Sequence, residues 1–276
     1  MVDRPEVFVE RNMSVITVDG SDLWKKIATG GFTTGQSFAV GTSINTVLGQ
    51  AAQASGIGSA YLKFDQLLSR TASYKTLGAT LAWEPGDSRA EFFANFSTQW
   101  GLQVFFDPLG FLVTAEMPDP VTTPPVWSFS VGEDSILLGL TKIHSDLKLV
   151  NHVIVTGESS GGVPSVARYE IVDNNPGSPT YTGSIGDRVM LYASPQVTTN
   201  EQAKVVAEKL YRENCLIEEE LKVPTICLPH LEGNDVIEVR EPTWSHVSDR
   251  YLCQRFDIPL RESRMTIETK KGRPMP

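Results

Sequence analysis

Residues that build redox and metal sites are scarce in this sequence. Three cysteines, Cys215, Cys227 and Cys253, occur among 276 residues, and an odd, sparse count argues against a disulfide framework. The four histidines include no pair spaced i and i+4. Cys227 and His230 form a single C-x-x-H without a second pair at zinc-finger spacing. We therefore expect free thiols and no metal site.

Phosphate loops, an excess of basic residues and long apolar runs are also missing. Gly30, Gly31 and Gly35 are not followed by the G-K-[ST] of a P-loop. Acidic residues (33) outnumber Lys and Arg (24), and the formal net charge of −9 argues against a broad nucleic-acid-binding face. No stretch approaches the roughly 20 apolar residues of a membrane helix, and residues 1–15 lack a signal-peptide core. We expect no cofactor, no specific nucleic-acid recognition, no membrane span and synthesis in a cytoplasm.

Helix and turn signals are clearest in the first half. Residues 42–55 repeat apolar side chains at helical spacing, and Ser88 with Glu91 fits a capping box that opens a second helix. Residues 107–110, Asp-Pro-Leu-Gly, suit a type I turn between two strands. The proline-rich stretch 118–127 is the predicted linker.

The second half is dominated by short β-type runs. One amphipathic helix interrupts them, with Thr198 and Glu201 as its predicted capping box. We find no internal repeat at a fixed period. The pattern predicts an α+β segment, about 31–127, that is inserted into or precedes a β-rich segment.

A G-x-S-x-G match at residues 157–161 raises the question of a nucleophilic serine, Ser159. A nucleophile elbow needs a helix directly after the turn, whereas the residues after Gly161 predict another strand. His230 and His246 lie downstream, so chain order alone permits a triad. We interpret the match as a loop, and a serine hydrolase using Ser159 is the alternative.

Two further clusters have competing interpretations. The aromatic residues of segment 92–111 could line a carbohydrate- or peptide-binding site, but their helical and hairpin spacing favours a hydrophobic core. Glu218–Glu220 could hold a cation, although such runs are more often a solvated face. We assign no catalytic, cofactor-binding or metal-binding residue.

The order of several segments is similar to that of a known family. The marks are Asn151 before a valine-rich strand, NNPGSPTYTG at 174–183, EQAKVVAEKL at 201–210, EGNDVIEV at 232–239 and the closing strand pair at 258–269. Segments such as VDGSDLWKKI and FFDPLGFLVTAE extend the match into the first half. Together they resemble the baseplate-hub or tail-tip hub proteins, minor tail proteins of long-tailed bacteriophages.

The resemblance implies an architecture. It predicts an α+β chain with a β-rich, tube-like barrel hub domain and a smaller inserted α+β domain. Residues 1–30 would supply a strand and a helix of the hub core, 31–127 the inserted domain and 128–276 the barrel domain with its one amphipathic helix. Such hubs carry further strands ahead of the position matched by Met1, which implies a chain that is split, truncated or completed by a neighbour.

The resemblance also implies a role without enzymatic activity. Hubs of this kind are homotrimeric virion proteins at the distal tail tip, made in the host cytoplasm. They continue or close the tail tube and join it to fibre or spike components during genome delivery. The implied partners are further copies of the chain, tail-tube and distal-tail proteins, the tape-measure protein and other tail-tip proteins. DNA would pass through a lumen that we predict to be acidic, with Glu218–Glu220 as candidate contributors. A related injection machine, such as a contractile secretion spike, is a further alternative.

Overall fold

The computed structural model describes residues 2–10, 13–64, 75–130, 132, 135–145, 149–158, 167–178, 180–214, 218–241, 249–258 and 263–271. The chain divides into two compact units. The first comprises Met1–Glu116, Gly157–Ala167 and Ser194–Gln202, and the second comprises Met117–Thr156, Arg168–Ala193 and Ala203–Pro276. The domain bounds expected from the sequence stay a prediction.

The elements of the chain up to Glu116 are seven strands and three α-helices among the described residues. They are β1 (Val2–Glu10), β2 (Met13–Gly20), α1 (Trp24–Ala28), β3 (Gln36–Phe38), α2 (Ile44–Ala54), β4 (Leu62–Lys63), β5 (Leu81–Trp83), α3 (Arg89–Gln99), β6 (Gln103–Phe106) and β7 (Leu112–Ala115). β1 and β2 form an antiparallel pair, β3 pairs with β5, and the order β4-β7-β6 forms a three-stranded sheet.

The first unit contains two copies of one strand–loop–helix arrangement. In each copy a three-residue strand leads to a glycine with positive φ, Gly41 at 84° or Gly86 at 98°, which favours glycine because a Cβ is strained there. A serine, Ser43 or Ser88, then precedes a helix of 11 residues. The separation in sequence between Gly41 and Gly86 is the same as that between Ser43 and Ser88.

The two copies pair with each other through their strands and loops. β3 and β5 run antiparallel with Ser37 opposite Ala82, which are equivalent positions. The Phe32 N–H donates to the Asp87 carbonyl, and in the other copy the Leu77 N–H donates to the Thr42 carbonyl, both at 2.9 Å. The sequence showed no repeat because few of the equivalent side chains are shared.

Aromatic and aliphatic side chains fill the core of this unit. Ile44, Val47 and Leu48 of α2 are buried, as their helical spacing predicts. Phe93 and Phe96 of α3 are buried, and Phe96 stacks on Trp100 with ring centroids 4.4 Å apart. The core interpretation of the aromatic segment therefore holds for these rings.

The remaining elements contain most of the strands. They are β8 (Trp127–Ser130), β9 (Thr141–Ser145), β10 (His152–Gly157), β11 (Arg168–Val172), α4 (Thr182–Ile185), β12 (Val189–Ser194), α5 (Asn200–Asn214), β13 (Glu218–Ile226), β14 (Val236–Arg240), β15 (Asp249–Asp257) and β16 (Arg264–Lys271). Together with the helices of the first unit they confirm the predicted α+β class.

A six-stranded sheet of order β8-β14-β15-β16-β13-β9 curls into a half barrel. Its neighbouring strands are antiparallel except for β8 and β14, which are parallel. Alternate residues of β13, such as Leu221 and Val223, are fully buried and lie opposite Thr269 and Ile267 of β16. This period of two places one face of the sheet on an apolar core.

A second sheet has the order β11-β10-β12. β10 and β11 are antiparallel. β10 and β12 run in the same direction, because Asn151 bonds Arg188 at their starts and Glu158 bonds Ser194 at their ends.

Helix α5 begins one residue later than its predicted capping box. The Gln202 side chain accepts from the Thr198 and Thr199 N–H groups, and the Gln202 N–H donates to the Thr199 hydroxyl at 3.2 Å. Thr199 and Gln202 therefore form the box instead of Thr198 and Glu201. Both pairs fit the same spacing rule, and the helix start at Asn200 selects the second.

Candidate functional site

A buried amide lies at the centre of the segment that gave the strongest sequence resemblance. Asn151, fully buried, donates from Nδ2 to the carbonyls of Thr180 (3.0 Å) and Gly186 (2.8 Å). Its Oδ1 accepts from the Arg188 N–H at 2.8 Å. Three hydrogen bonds of one side chain thus fix both ends of the stretch 180–188.

A buried carboxylate fixes the neighbouring turn. Asp173 accepts from the Ser178 and Thr180 hydroxyls and from the Asn175 N–H. Its own N–H donates to the Asn151 carbonyl at 3.0 Å. Asn151 and Asp173, which we call the polar clamp, together hold the NNPGSPTYTG segment against the start of β10. Asp173 was not singled out from the sequence, although its side chain accepts the N–H two residues on, which is the Asx turn that Asp favours.

His152 lies beside the polar clamp and contacts two carboxylates. Its Nε2 is 2.8 Å from Glu170 and its Nδ1 is 3.1 Å from Asp187. Because each ring nitrogen faces a carboxylate oxygen, neither is directed at a hydroxyl as a general base must be. The arrangement ties β10 to β11 and to Asp187, two residues before β12. No sequence pattern pointed to it.

Ser159 lies outside the described residues, but both strands that flank it are described. β10 ends at Gly157, and its N–H donates to the Ala167 carbonyl at 2.9 Å just before β11. Thr156 lies opposite Arg168 in the antiparallel register. The segment therefore joins two adjacent antiparallel strands, whereas a nucleophile elbow joins a strand to a helix. The His230 ring lies 5.3 Å from the Trp127 ring, and His246 is outside the described residues.

The other candidate residues are scattered. Cys227 and Cys253 are free thiols, and burial raises the pKa of Cys253 to about 12, so it stays protonated at neutral pH. Cys215 is outside the described residues. Within the described ranges no group of three or more His, Cys, Asp or Glu side chains could hold a metal ion, and no described helix is long and apolar enough to cross a membrane.

The second face of the half barrel is charged but balanced. Lys222 and Glu268 form an ion pair of 2.9 Å, whose hydrogen bond raises the pKa of the lysine and lowers that of the glutamate. Glu220 lies opposite Lys270 in the strand register. Glu220, one residue of the predicted acidic run Glu218–Glu220, thus lies opposite a basic residue.

Apolar side chains are exposed on the outermost strands. β12, at the edge of the three-stranded sheet, exposes Val189 (52%) and Leu191 (68%). β8 and β9, the two edges of the half barrel, expose Trp127 and Ile143. Open edges with apolar side chains are aggregation sites unless another chain covers them. These three edge strands form the candidate assembly surface.

Comparison with known proteins gives matches among solved structures alone: no protein-family model matches the sequence, and no curated protein does. The 43 kDa tail protein of prophage MuSo2 from Shewanella oneidensis is 15% identical, with a TM-score of 0.66 over 97% of this chain and 76% of its own. A tail protein from Neisseria meningitidis MC58 is 12% identical, with a TM-score of 0.69 over 99% and 79%. Prophage tail protein gp18 from Listeria monocytogenes EGD-e is 11% identical, with a TM-score of 0.57 over 98% and 75%.

These likenesses extend over nearly the whole chain and three quarters or more of each neighbour. At such low identity they establish a shared fold. The chain has the fold of phage tail proteins, so the resemblance inferred from sequence is confirmed at that level.

Proposed function

We propose that the protein is a structural virion component, a subunit of the tail-tip or baseplate hub at the distal end of a phage tail. In this role it continues or closes the tail tube and joins it to fibre or spike parts during genome delivery. The observation that carries the proposal is the tail-protein fold, which extends over almost all of the chain.

The edge strands support a ring. β8 and β9 are different edges of one half barrel, so a contact between β8 of one subunit and β9 of the next is heterologous. Heterologous contacts close into rings when the rotation between subunits is right. We propose a homotrimer, in which this pairing covers Trp127 and Ile143 and removes the open edges.

The other proposed partners are the tail tube, distal-tail proteins, the tape-measure protein and fibre or spike proteins. DNA passes through the lumen without sequence-specific contacts. A net charge of −9 per chain repels phosphate and lets DNA slide. Lys270 lies opposite Glu220 and offsets its charge. The net charge of the lumen therefore also depends on residues outside this face of the half barrel.

We propose further that the protein is not an enzyme. The carboxylates on both His152 nitrogens and the antiparallel strands around Ser159 support this. A serine hydrolase is the alternative, and labelling of Ser159 distinguishes it.

The experiment is a mass measurement on the purified protein combined with a reconstruction of the assembled tail tip. We expect a trimer, and Ile143→Glu should shift it to monomer because a buried, unpaired carboxylate opposes pairing at β9. Val40→Glu is the matched control, since Val40 is 62% exposed and lies outside the edge strands. Circular dichroism verifies that both variants fold. A single copy of the chain in the assembled particle would contradict the proposal.

A further inference from the structure

A groove of about 300 Å³ lies beside β5 in the first unit. Its lining comes from β5, from the loop after it and from one side of α3. The lining includes Trp83, Asp87, Glu91, Phe92, Asn95 and Phe96.

The lining combines aromatic rings with acidic side chains. Trp83 and Phe92 are 5.1 Å apart, edge to face, and Phe96 packs beside them. Asp87 and Glu91 add two carboxylates, and no Lys or Arg is among the lining residues. A complementary ligand therefore carries a cationic group together with apolar groups.

A strand edge opens onto the same groove. β5 pairs with β3 through one edge, and no other described strand pairs with β5. The backbone groups on the second edge are the template that an extended peptide uses when it adds a strand to a sheet. The volume of the groove accommodates a few side chains of such a peptide.

The duplicated fold provides an internal comparison. The positions of Asp87 and Glu91 correspond to Thr42 and Thr46 in the first copy, which carry no charge. In that copy Gln36 and Gln50, at the positions of Leu81 and Asn95, hydrogen-bond to each other. The arrangement thus folds without the two carboxylates, and they are present in one copy alone.

One of the two carboxylates also has a structural role. Asp87 accepts the Glu84 N–H at 2.8 Å, and Thr42 closes its own turn by donating to the Ala39 carbonyl at 2.7 Å. The Glu91 N–H, a backbone group, donates to the Ser88 hydroxyl at 3.2 Å and caps α3 whatever the side chain. Glu91→Gln therefore keeps the cap, and Gln also fits the third position of a capping box. Glu91 is thus the residue whose charge is best separated from folding.

We propose that this groove binds an extended segment of a partner protein. The segment adds a strand to the free edge of β5, packs an apolar side chain on Phe92, and directs a Lys or Arg side chain at Glu91 and Asp87. The carboxylates of Asp87 and Glu91 favour a basic peptide. The edge of β5 that no described strand pairs with favours an extended one. This inference does not depend on the proposed hub function.

The test uses the peptide acetyl-Val-Lys-Val-Lys-Val-amide as probe. Backbone NMR shifts on titration should map to β5 and α3, and binding should weaken with added salt, as expected for exposed charges. Glu91→Gln should weaken binding about fivefold, the size of one partly exposed charge-assisted contact. Glu158→Gln, a change of the same charge at an exposed residue outside the groove, should leave binding unchanged.

Two further variants separate charge from strand pairing. Asn95→Arg places a cation in the groove from an exposed position of α3 and should abolish binding while circular dichroism stays unchanged. A probe with N-methylated valines cannot donate to β5 and should also fail to bind. Absence of binding at millimolar probe, shifts located elsewhere, or equal affinity for Glu91→Gln and wild type would overturn the proposal.

Discussion

Replacing Asn151 by Asp tests the polar clamp with almost no change of shape. The substitution exchanges an NH2 group for an oxygen, so the Thr180 and Gly186 carbonyls, now 3.0 and 2.8 Å from a donor, would face another acceptor. The bond from the Arg188 N–H to Oδ1 can persist. The variant therefore removes one buried hydrogen bond, to Thr180, and one partly buried hydrogen bond, to Gly186, and leaves the third.

The expected cost follows from the two orphaned carbonyls. The buried Thr180 carbonyl costs about 1–3 kcal/mol when it loses its partner, and the Gly186 carbonyl, on an exposed residue that water can reach, costs about 0.5–1.5 kcal/mol. Asn151→Asp should therefore lower the free energy of unfolding at pH 7 by about 1.5–4.5 kcal/mol. This is a large share of the roughly 5–15 kcal/mol that stabilises a typical domain. Asn95→Asp is the matched control. It makes the same chemical change at an exposed position of α3 outside the polar clamp, so a change within about 0.5 kcal/mol is expected.

The loss of unfolding free energy in Asn151→Asp should increase as the pH rises. A protonated carboxyl at position 151 can donate to one carbonyl, so the folded state binds the proton more tightly than the unfolded chain, where the pKa of Asp is about 3.9. The folded-state pKa is thus raised, and the stability linked to it is present below the unfolded value and is lost as pH rises through the folded one. Urea unfolding followed by circular dichroism should show a smaller difference from wild type near pH 4 than at pH 7. A deficit equal to that of Asn95→Asp, or one that grows as pH falls, would refute this reasoning.

Two further predictions concern the core and the serine motif. Phe96→Ala should lower the free energy of unfolding by about 3–5 kcal/mol, because a ring that is 1% exposed and stacked on Trp100 leaves a cavity; thermal denaturation measures it, and a loss below about 1 kcal/mol would contradict the core assignment. A fluorophosphonate probe should not label Ser159, with Ser159→Ala as control, because the flanking strands are antiparallel neighbours; labelling that disappears in the control would favour the hydrolase.

The three long helices, α2, α3 and α5, were predictable from sequence, whereas the four-residue α4 (Thr182–Ile185) and the long-range contacts were not. Helical spacing identified the buried face of α2 because burial on one side of a helix forces that period. The capping box of α5 was wrong by one residue because Thr198 and Thr199 both have an acidic or amide partner three positions on. Asn151 stood out by its place before β10, but its partners, Thr180, Gly186 and Arg188, are backbone groups that any sequence supplies.

The duplicated arrangement and the groove were missed for a related reason. The shared features that the backbone demands are a glycine at positive φ and a serine before each helix, Gly41 with Ser43 and Gly86 with Ser88. Two residues in so long a stretch are too few for a repeat to be recognised. β5 has three residues, so its free edge has no periodic signal, and the groove became visible when the structure placed α3 beside it.

The exposed edges and the net charge support assembly more strongly together than either does alone. Val189 and Leu191 are exposed on an outer strand, and such an edge can pair with a strand of another chain. A net charge of −9 opposes random association, because the repulsion acts at every mutual orientation of two chains. Apolar edge contacts act at short range and require a matched partner. Repulsion at a distance and attraction in one orientation together favour one specific pairing over random aggregation, which is the balance that the proposed ring requires.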